Sequence, residues 1–218
     1  MCSSAPAQLI KDATRTPFNV GRGIELRDFT LKQAEPLARE LGDEGERLLT
    51  RILHWTDGHP YLTQMLCAKV AVKDRNGSAP EALVDSVVED TLLSTGARQE
   101  ENNLKYVADR LTQGTGDLHG VLRIYRDVVR GKSVPDVPAS PLHTSLRLSG
   151  VVKPDADRLL RVRNLVYRRV FDEAWVRQKM PPRVSWMVAA AAAAVIAIAA
   201  TYALWYVLLF PQAYVDAL

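Results

Sequence analysis

The sequence predicts a mainly α-helical protein, in which a helical subdomain and a winged-helix module precede one transmembrane helix. Three observations predict this fold class. Apolar residues recur at helical spacing through most of the chain up to about residue 130. Two short segments follow, one on each side of a turn, in which apolar and polar residues alternate. Finally, residues 184–210 form an apolar run without any formally charged side chain.

The overall composition excludes several classes of protein. The chain has 218 residues, of which 47% are hydrophobic and 24% charged, so it is neither disordered, collagenous nor a coiled coil. Two cysteines, Cys2 and Cys67, are too few for a disulfide scaffold or a cysteine-built zinc site. Asp216 is the one charged residue after position 183, which leaves 28 basic and 25 − 1 = 24 acidic residues before it, a net +4.

The first helices are predicted from caps and breaks. Thr30 and Gln33 have the spacing of a capping box, and the helix that they begin stops at Gly42. A second helix is predicted from about Asp43 to Trp55, and Pro60 occupies the first turn of a third that runs to about Lys73. Apolar spacing predicts further helices over residues 80–93, 101–111, 117–129 and 140–148.

A hairpin and one more helix complete the predicted soluble part. Apolar and polar side chains alternate in residues 150–153 and 158–163, which lie on either side of the turn 154–157. This pattern predicts two antiparallel strands. Asn164 is expected to cap a last helix that reaches about Gln178 and buries Phe171 and Trp175. Three helices, a hairpin and a helix is the order of a winged-helix module.

The apolar run is predicted to cross a membrane. As a helix, residues 184–210 would be about 40 Å long, enough for a hydrocarbon core of about 30 Å. The basic side chains at its N-terminal end have no counterpart after it, so the positive-inside rule predicts that residues 1–183 are cytoplasmic and residues 211–218 lie outside. These basic residues are Arg168, Arg169, Arg177, Lys179 and Arg183.

The sequence contains no self-sufficient active site. A phosphate-binding GxxxxGK[ST] loop is absent, as is an apolar strand ending in Asp-Asp or Asp-Glu that would hold magnesium. The four histidines never occur at HxxxH spacing, and neither GxSxG nor HExxH is present. We therefore expect no catalytic residues, no metal ligands and no enzymatic activity from this chain.

A winged helix also raises the possibility of DNA binding. Under that hypothesis, Arg147 in the third helix of the module and Arg158, Arg161 and Arg163 in the hairpin would contact the duplex. A recognition helix with a single arginine is poorly equipped to read base edges. A membrane-tethered DNA-binding transcriptional regulator is therefore an alternative, and nucleic acid is the less favoured partner.

Several sequence blocks resemble one bacterial family. QLIKD at residues 8–12, RTPFNVG at 15–21 and IELRDFT at 24–30 resemble the AAA-like ATPase domain of STAND signal-transduction NTPases. WTDGHPYLTQ at residues 55–64 resembles that family's lid motif, and RVRNLVYRRVFD at 161–172 resembles its terminal winged helix. The resemblance covers about residues 8–178.

The resemblance implies a domain layout and a nucleotide-proximal turn. It suggests an N-terminal remnant over residues 1–29, a helical lid-like subdomain over 30–112 and a winged-helix-like subdomain over 113–180. In the family the lid motif approaches the nucleotide, which places Gly58, His59 and Pro60 near that site. The family's P-loop domain precedes these blocks, and the present chain begins where that domain ends. ATP is therefore expected as a cofactor only if a P-loop domain is supplied elsewhere.

The expected function follows from this layout. The chain is interpreted as the non-catalytic C-terminal portion of a signalling ATPase, anchored in the bacterial inner membrane and serving as a regulatory or protein-interaction module. The expected partners are the bilayer, another protein or the P-loop-containing half, and a second copy of the chain is a further candidate. Another alternative is one half of a split ATPase that a P-loop subunit completes.

Overall fold

The computed structural model describes residues 27–74, 77–113, 116–181 and 186–215. These residues are mainly helical, as the sequence predicts, with a small two-stranded sheet. They fall into two units, a helical domain that ends at Met180 and a C-terminal unit that begins at Pro181. The predicted N-terminal remnant lies outside the described residues except for its last three positions.

The described part of the domain begins with three helices, α1 (Leu31–Glu40), α2 (Gly45–Thr56) and α3 (Pro60–Val72). The predicted capping box is confirmed: the Thr30 hydroxyl accepts from the Gln33 amide at 3.3 Å, and the Gln33 side chain accepts from the Thr30 amide at 3.0 Å. Both positions lie at the entrance to α1, so this helix begins where its sequence predicts.

The next four helices are α4 (Pro80–Val88), α5 (Thr95–Glu100), α6 (Asn102–Gln113) and α7 (Leu118–Val129). A π-helical turn, Glu89–Leu93, continues α4. Helix α5 was not predicted. Its short sequence has no buried residue and thus no apolar periodicity, and Ser94 begins it by accepting from the Ala97 amide at 3.3 Å.

The hairpin lies between α8 (Pro141–Leu148) and α9 (Leu165–Val170). Strands β1 (Val152–Pro154) and β2 (Leu160–Val162) pair antiparallel, with Lys153 opposite Arg161. A third extended segment joins them, because the amide of Leu160 donates to the carbonyl of Val134 at 2.8 Å and Asp136 donates to Arg158 at 2.7 Å.

The predicted last helix is two helices, so the prediction of one continuous helix was wrong. After α9 the chain breaks at Phe171, and α10 (Glu173–Lys179) begins when Asp172 accepts from the Trp175 amide at 2.8 Å. Phe171 is buried as predicted, but Trp175 is only partly buried and packs its ring edge-on against Phe171.

One continuous apolar core runs through the domain and includes side chains from both strands and from each helix of α1 to α10 except α5. Tyr125, Tyr167 and Phe171 are its largest fully buried side chains. The Tyr125 hydroxyl donates to the Phe171 carbonyl at 2.9 Å, which satisfies a carbonyl at the break between α9 and α10.

The C-terminal unit contains one helix, α11 (Trp186–Val215), which continues five residues beyond the predicted end at Phe210. Residues Ala190–Leu208 have a mean hydropathy of 2.0, and this helix is long and apolar enough to cross a membrane. The described apolar side chains between Val188 and Leu208 are exposed, among them Ile196 and Ile198.

Candidate functional site at the 57–60 turn

The turn between α2 and α3 combines two left-handed residues with a proline. Asp57 ends α2 with φ of 48°, and Gly58 follows with φ of 77°. Pro60 is the first residue of α3, where its fixed φ suits a helix and its missing amide hydrogen costs nothing. Below the turn, the buried hydroxyls of Thr56 and Thr63 form a hydrogen bond of 2.8 Å.

Gly58 cannot be replaced without displacing the chain beside it. The Phe29 amide donates to the Gly58 carbonyl at 2.7 Å, and this bond holds the segment that enters α1 against the turn. A Cβ atom on Gly58 would lie 2.2 Å from the Phe29 carbonyl oxygen. The glycine thus permits both the left-handed backbone and the close approach of a second chain segment.

His59 connects the turn to the C-terminal half of the domain. Its Nδ1 accepts from the Leu62 amide at 3.4 Å as the N-cap of α3, and its Nε2 lies 3.3 Å from the Tyr167 hydroxyl. That hydroxyl donates to Oδ1 of Asn103 at 2.7 Å. These partners fit a neutral imidazole with its proton on Nε2.

The electrostatic surroundings keep His59 neutral. Burial, and then the nearby Arg163 guanidinium, lower the pKa of His59 to about 4. Burial also raises the pKa of Tyr167. At neutral pH this pair therefore serves as a fixed hydrogen-bonded contact.

An ionic network surrounds the turn and joins three parts of the chain. Asp28 accepts from Lys153 at 2.6 Å and from Arg163 at 2.7 Å. Oδ2 of Asp57 lies 3.0 Å from Nζ of Lys153 and 2.8 Å from Nη1 of Arg161. Lys153 therefore bridges the segment before α1 and the end of α2, and the hairpin supplies all three cations. We call these five residues the junction network.

The ion pairs stabilise the charged form of Asp28. Burial opposes its ionisation, but the hydrogen bonds from Arg163 and Lys153 outweigh that effect and lower its pKa below the ordinary value. The Asp28 side chain is 19% exposed and that of Arg163 23%, so water screens this pair less than a surface pair.

Comparison with known proteins identifies the family of this chain. Residues 1–173 match the family model described as an AAA-like domain. The chain belongs to this AAA-like domain family. The chain is also 30% identical over 187 residues to an uncharacterised WD repeat-containing protein of Synechocystis sp.. That match covers 81% of this chain and 16% of the relative, so the chain spans about a sixth of the relative's length. No solved structure matches the chain.

The AAA-like domain gathers the predicted nucleotide-proximal residues with residues that the sequence did not single out. Gly58, His59 and Pro60 are consecutive in sequence and lie together in the turn between α2 and α3. Tyr167 and Asp28 both fall inside the sequence blocks that carried the family resemblance, which was the available signal for them. Lys153 and Asn103 had no such signal, because their partners lie far away in sequence.

The arginines of the DNA-binding alternative are mostly engaged with carboxylates. Arg147 pairs with Asp136 at 3.1 Å, and Arg161 and Arg163 belong to the junction network. Arg158 is exposed in the hairpin turn with φ of 59°. Three of the four arginines therefore contact protein carboxylates at positions where a duplex would require free cations.

The described part of the AAA-like domain contains no group of His, Cys, Asp or Glu that could hold a metal ion. Cys67 is buried on α3, and burial raises the pKa of its thiol to about 11. A thiol in that state is a poor nucleophile at neutral pH. The contacts at the turn hold the segment before α1 and the hairpin against the end of α2.

Proposed function

We propose that this AAA-like domain is the membrane-anchored, non-catalytic C-terminal portion of a STAND-type signalling ATPase, and that it acts as a regulatory or protein-interaction module. The junction network carries the proposal. Asp57 directly precedes the Gly58-His59-Pro60 turn, which the family resemblance places near a nucleotide. It forms ion pairs of 3.0 Å with Lys153 and 2.8 Å with Arg161 of the hairpin. A change at the turn would thus be transmitted directly to the hairpin.

The proposal includes a lid-like and a winged-helix-like part. Helices α6, α7 and α8 precede the β1–β2 hairpin, and residues 134–136 add a third extended segment to it. This order supports a winged helix over residues 113–180. The relative of Synechocystis sp. is described as WD repeat-containing, and the match occupies 16% of its length, which supports a role as one part of a larger assembly.

The membrane anchor is α11. Its exposed apolar side chains and its 19-residue apolar stretch support a single transmembrane span. The basic residues before the span, with none after it, support an inner-membrane protein whose residues 1–183 are cytoplasmic. In right-side-out vesicles, a protease added outside is expected to leave those residues intact, and digestion of the helical domain would contradict this orientation.

Coupling through the junction network is testable by hydrogen exchange on the full chain in detergent. In Asp57→Asn, amides of the 57–60 turn and of β1 and β2 are expected to exchange faster together, because the bonds between them are weakened. Asp85→Asn is the matched control, since Asp85 pairs with Arg51 and Trp55 within the N-terminal helices. Unchanged hairpin exchange in Asp57→Asn would contradict the coupling.

The proposed lack of catalytic activity is tested by measuring ATP hydrolysis by the purified chain. We expect none above a mock preparation, because phosphoryl transfer needs the phosphate-binding loop and magnesium ligands that the sequence lacks. Turnover that is lost in Pro60→Ala would contradict the proposal. If the split-ATPase alternative is right, turnover appears only after a P-loop subunit is added, and it then depends on the same proline.

A further inference from the structure

The last two helices of the domain carry exposed cations. Arg168 and Arg169 on α9 and Arg177 and Lys179 on α10 are all exposed. Among the described residues, none of these four forms an ion pair, whereas other cations of the domain, such as Arg130, do. We call the four the terminal basic surface.

The two carboxylates in the same stretch offset only part of the charge of this surface. Asp172 accepts from the Trp175 amide at 2.8 Å to begin α10. Glu173 forms an ion pair with Arg130 of α7, and the hydrogen bond from Arg130 lowers its pKa, so it remains ionised. The charge of Arg177 also lowers the pKa of Glu173. Four cations and two carboxylates leave residues 165–179 with a net charge of 4 − 2 = +2.

This surface precedes the apolar helix by a very short connection. Residues 180–185 are the six residues between Lys179 and Trp186. Even a fully extended chain spans only about 25 Å over that separation. Basic residues so close to a span in sequence are attracted to anionic headgroups, and each strengthens the association by roughly fivefold. At physiological salt this attraction decays over a distance of about 10 Å.

We propose that the terminal basic surface docks the domain on the anionic phospholipids of the membrane that α11 anchors. This inference rests on the anchor in the proposed function. Its specific claim is that the charge of the headgroups, and not the covalent tether alone, holds α9 and α10 at the bilayer.

The test uses the full chain in nanodiscs made of phosphatidylcholine alone or mixed with phosphatidylglycerol. A donor fluorophore on Gln178→Cys, with Cys2→Ser in all variants, reports energy transfer to acceptors on lipid headgroups. Three chains are compared: one without further change, one with Gln at the four basic-surface positions, and a control with Gln at four exposed cations of other helices. The control changes the same amount of charge, at Lys32, Arg39, Lys69 and Lys105.

The expected result is higher transfer in discs with phosphatidylglycerol, lost at high salt and lost in the basic-surface variant, but kept in the control. Each single Gln substitution at the surface should lower the ratio of docked to undocked domain by roughly fivefold. Transfer that is independent of phosphatidylglycerol, or equal loss in the control, would overturn the docking surface while leaving the anchor intact. Failure of the chain to insert into either disc would overturn the anchor and the docking with it.

Discussion

Two ionic clusters in this domain use the same chemistry for different purposes. Within the N-terminal helices, Arg51 donates to both oxygens of Asp85 at 2.8 Å, and the Trp55 indole donates to the same carboxylate at 2.7 Å. The junction network makes equally short bonds around Asp28 and Asp57. The first cluster joins α2 to α4, whereas the second joins the segment before α1 and the end of α2 to the hairpin.

The difference lies in burial and in what each cluster connects. The Asp85 side chain is 39% exposed and that of Asp28 19%. Solvent therefore screens the Arg51–Asp85 pair, which reinforces helices already packed through the core. At the junction, Gly58 and His59 add a backbone hydrogen bond and a neutral polar contact beside the charges. The junction is the place where small chemical changes should have the largest effects.

The largest expected effect comes from Gly58→Ala. A left-handed alanine costs about 1–2 kcal/mol, and forcing its Cβ against Phe29 costs about 1–3 kcal/mol more. We expect the free energy of unfolding, measured by urea titration of the full chain in detergent, to fall by about 2–5 kcal/mol. Gly77 also has a left-handed φ, of 72°, but a Cβ atom added there would meet no described atom within 4 Å. Gly77→Ala should therefore cost only about 1–2 kcal/mol. Equal losses would show that the approach of Phe29 does not matter.

The next effect is a pH dependence caused by His59. Its pKa is about 4 in the folded chain and 6.5 when unfolded, so the unfolded chain binds more protons between these values. Stability should therefore fall by roughly 3 kcal/mol as the pH is lowered from 7 to 4, and this contribution should then level off. His59→Asn keeps an N-cap acceptor but removes the titration, so its curve should be flatter. His54→Gln, at an exposed position, should leave the fall unchanged, and a fall that persists in His59→Asn would assign it to another group.

The two clusters are compared directly by Asp28→Asn and Asp85→Asn. Removing the Asp28 charge leaves Arg163 without the carboxylate that it contacts and leaves Lys153 with Asp57, so we expect a loss of about 2 kcal/mol. Asp85→Asn should cost less than about 1 kcal/mol, because that pair is more exposed and the Trp55 bond can persist. The pKa of Asp28 is lowered by folding, so its contribution is present above its unfolded pKa near 3.8 and is lost as the pH falls through the lower folded value. Equal losses in the two variants at pH 7 would remove the distinction between the clusters.

The sequence predicted the local features of this domain better than the contacts between distant segments. The capping box at Thr30, the proline at the start of α3 and the turn of the hairpin all depend on neighbours in the chain, and each was found. The break at Phe171 was missed because apolar residues continue across it, and only the Asp172 cap marks the new helix.

The junction network lay beyond sequence analysis. Asp28 is 125 positions from Lys153 and 135 from Arg163, and an ion pair at such separations leaves no local pattern. The same arginine appeared as a candidate DNA contact because a basic hairpin has the same sequence whether its charges face phosphate or a protein carboxylate. Only the fold distinguishes the two.

The smallest expected effect is that of Arg158→Gln. Arg158 is exposed, so this change should alter stability by no more than about 0.5 kcal/mol. It is also the one candidate DNA contact that is not paired with a carboxylate among the described residues, which makes it the most sensitive probe of the alternative function. Duplex titrations of the wild type and of this variant at two salt concentrations provide the measurement. We expect weak, salt-sensitive binding without sequence preference, and the loss of one phosphate contact would reduce the salt slope by about 0.9. Sequence-selective binding that survives near-physiological salt and is weakened in Arg158→Gln would favour the DNA-binding regulator, because the junction arginines would then have to exchange their carboxylate partners for phosphate.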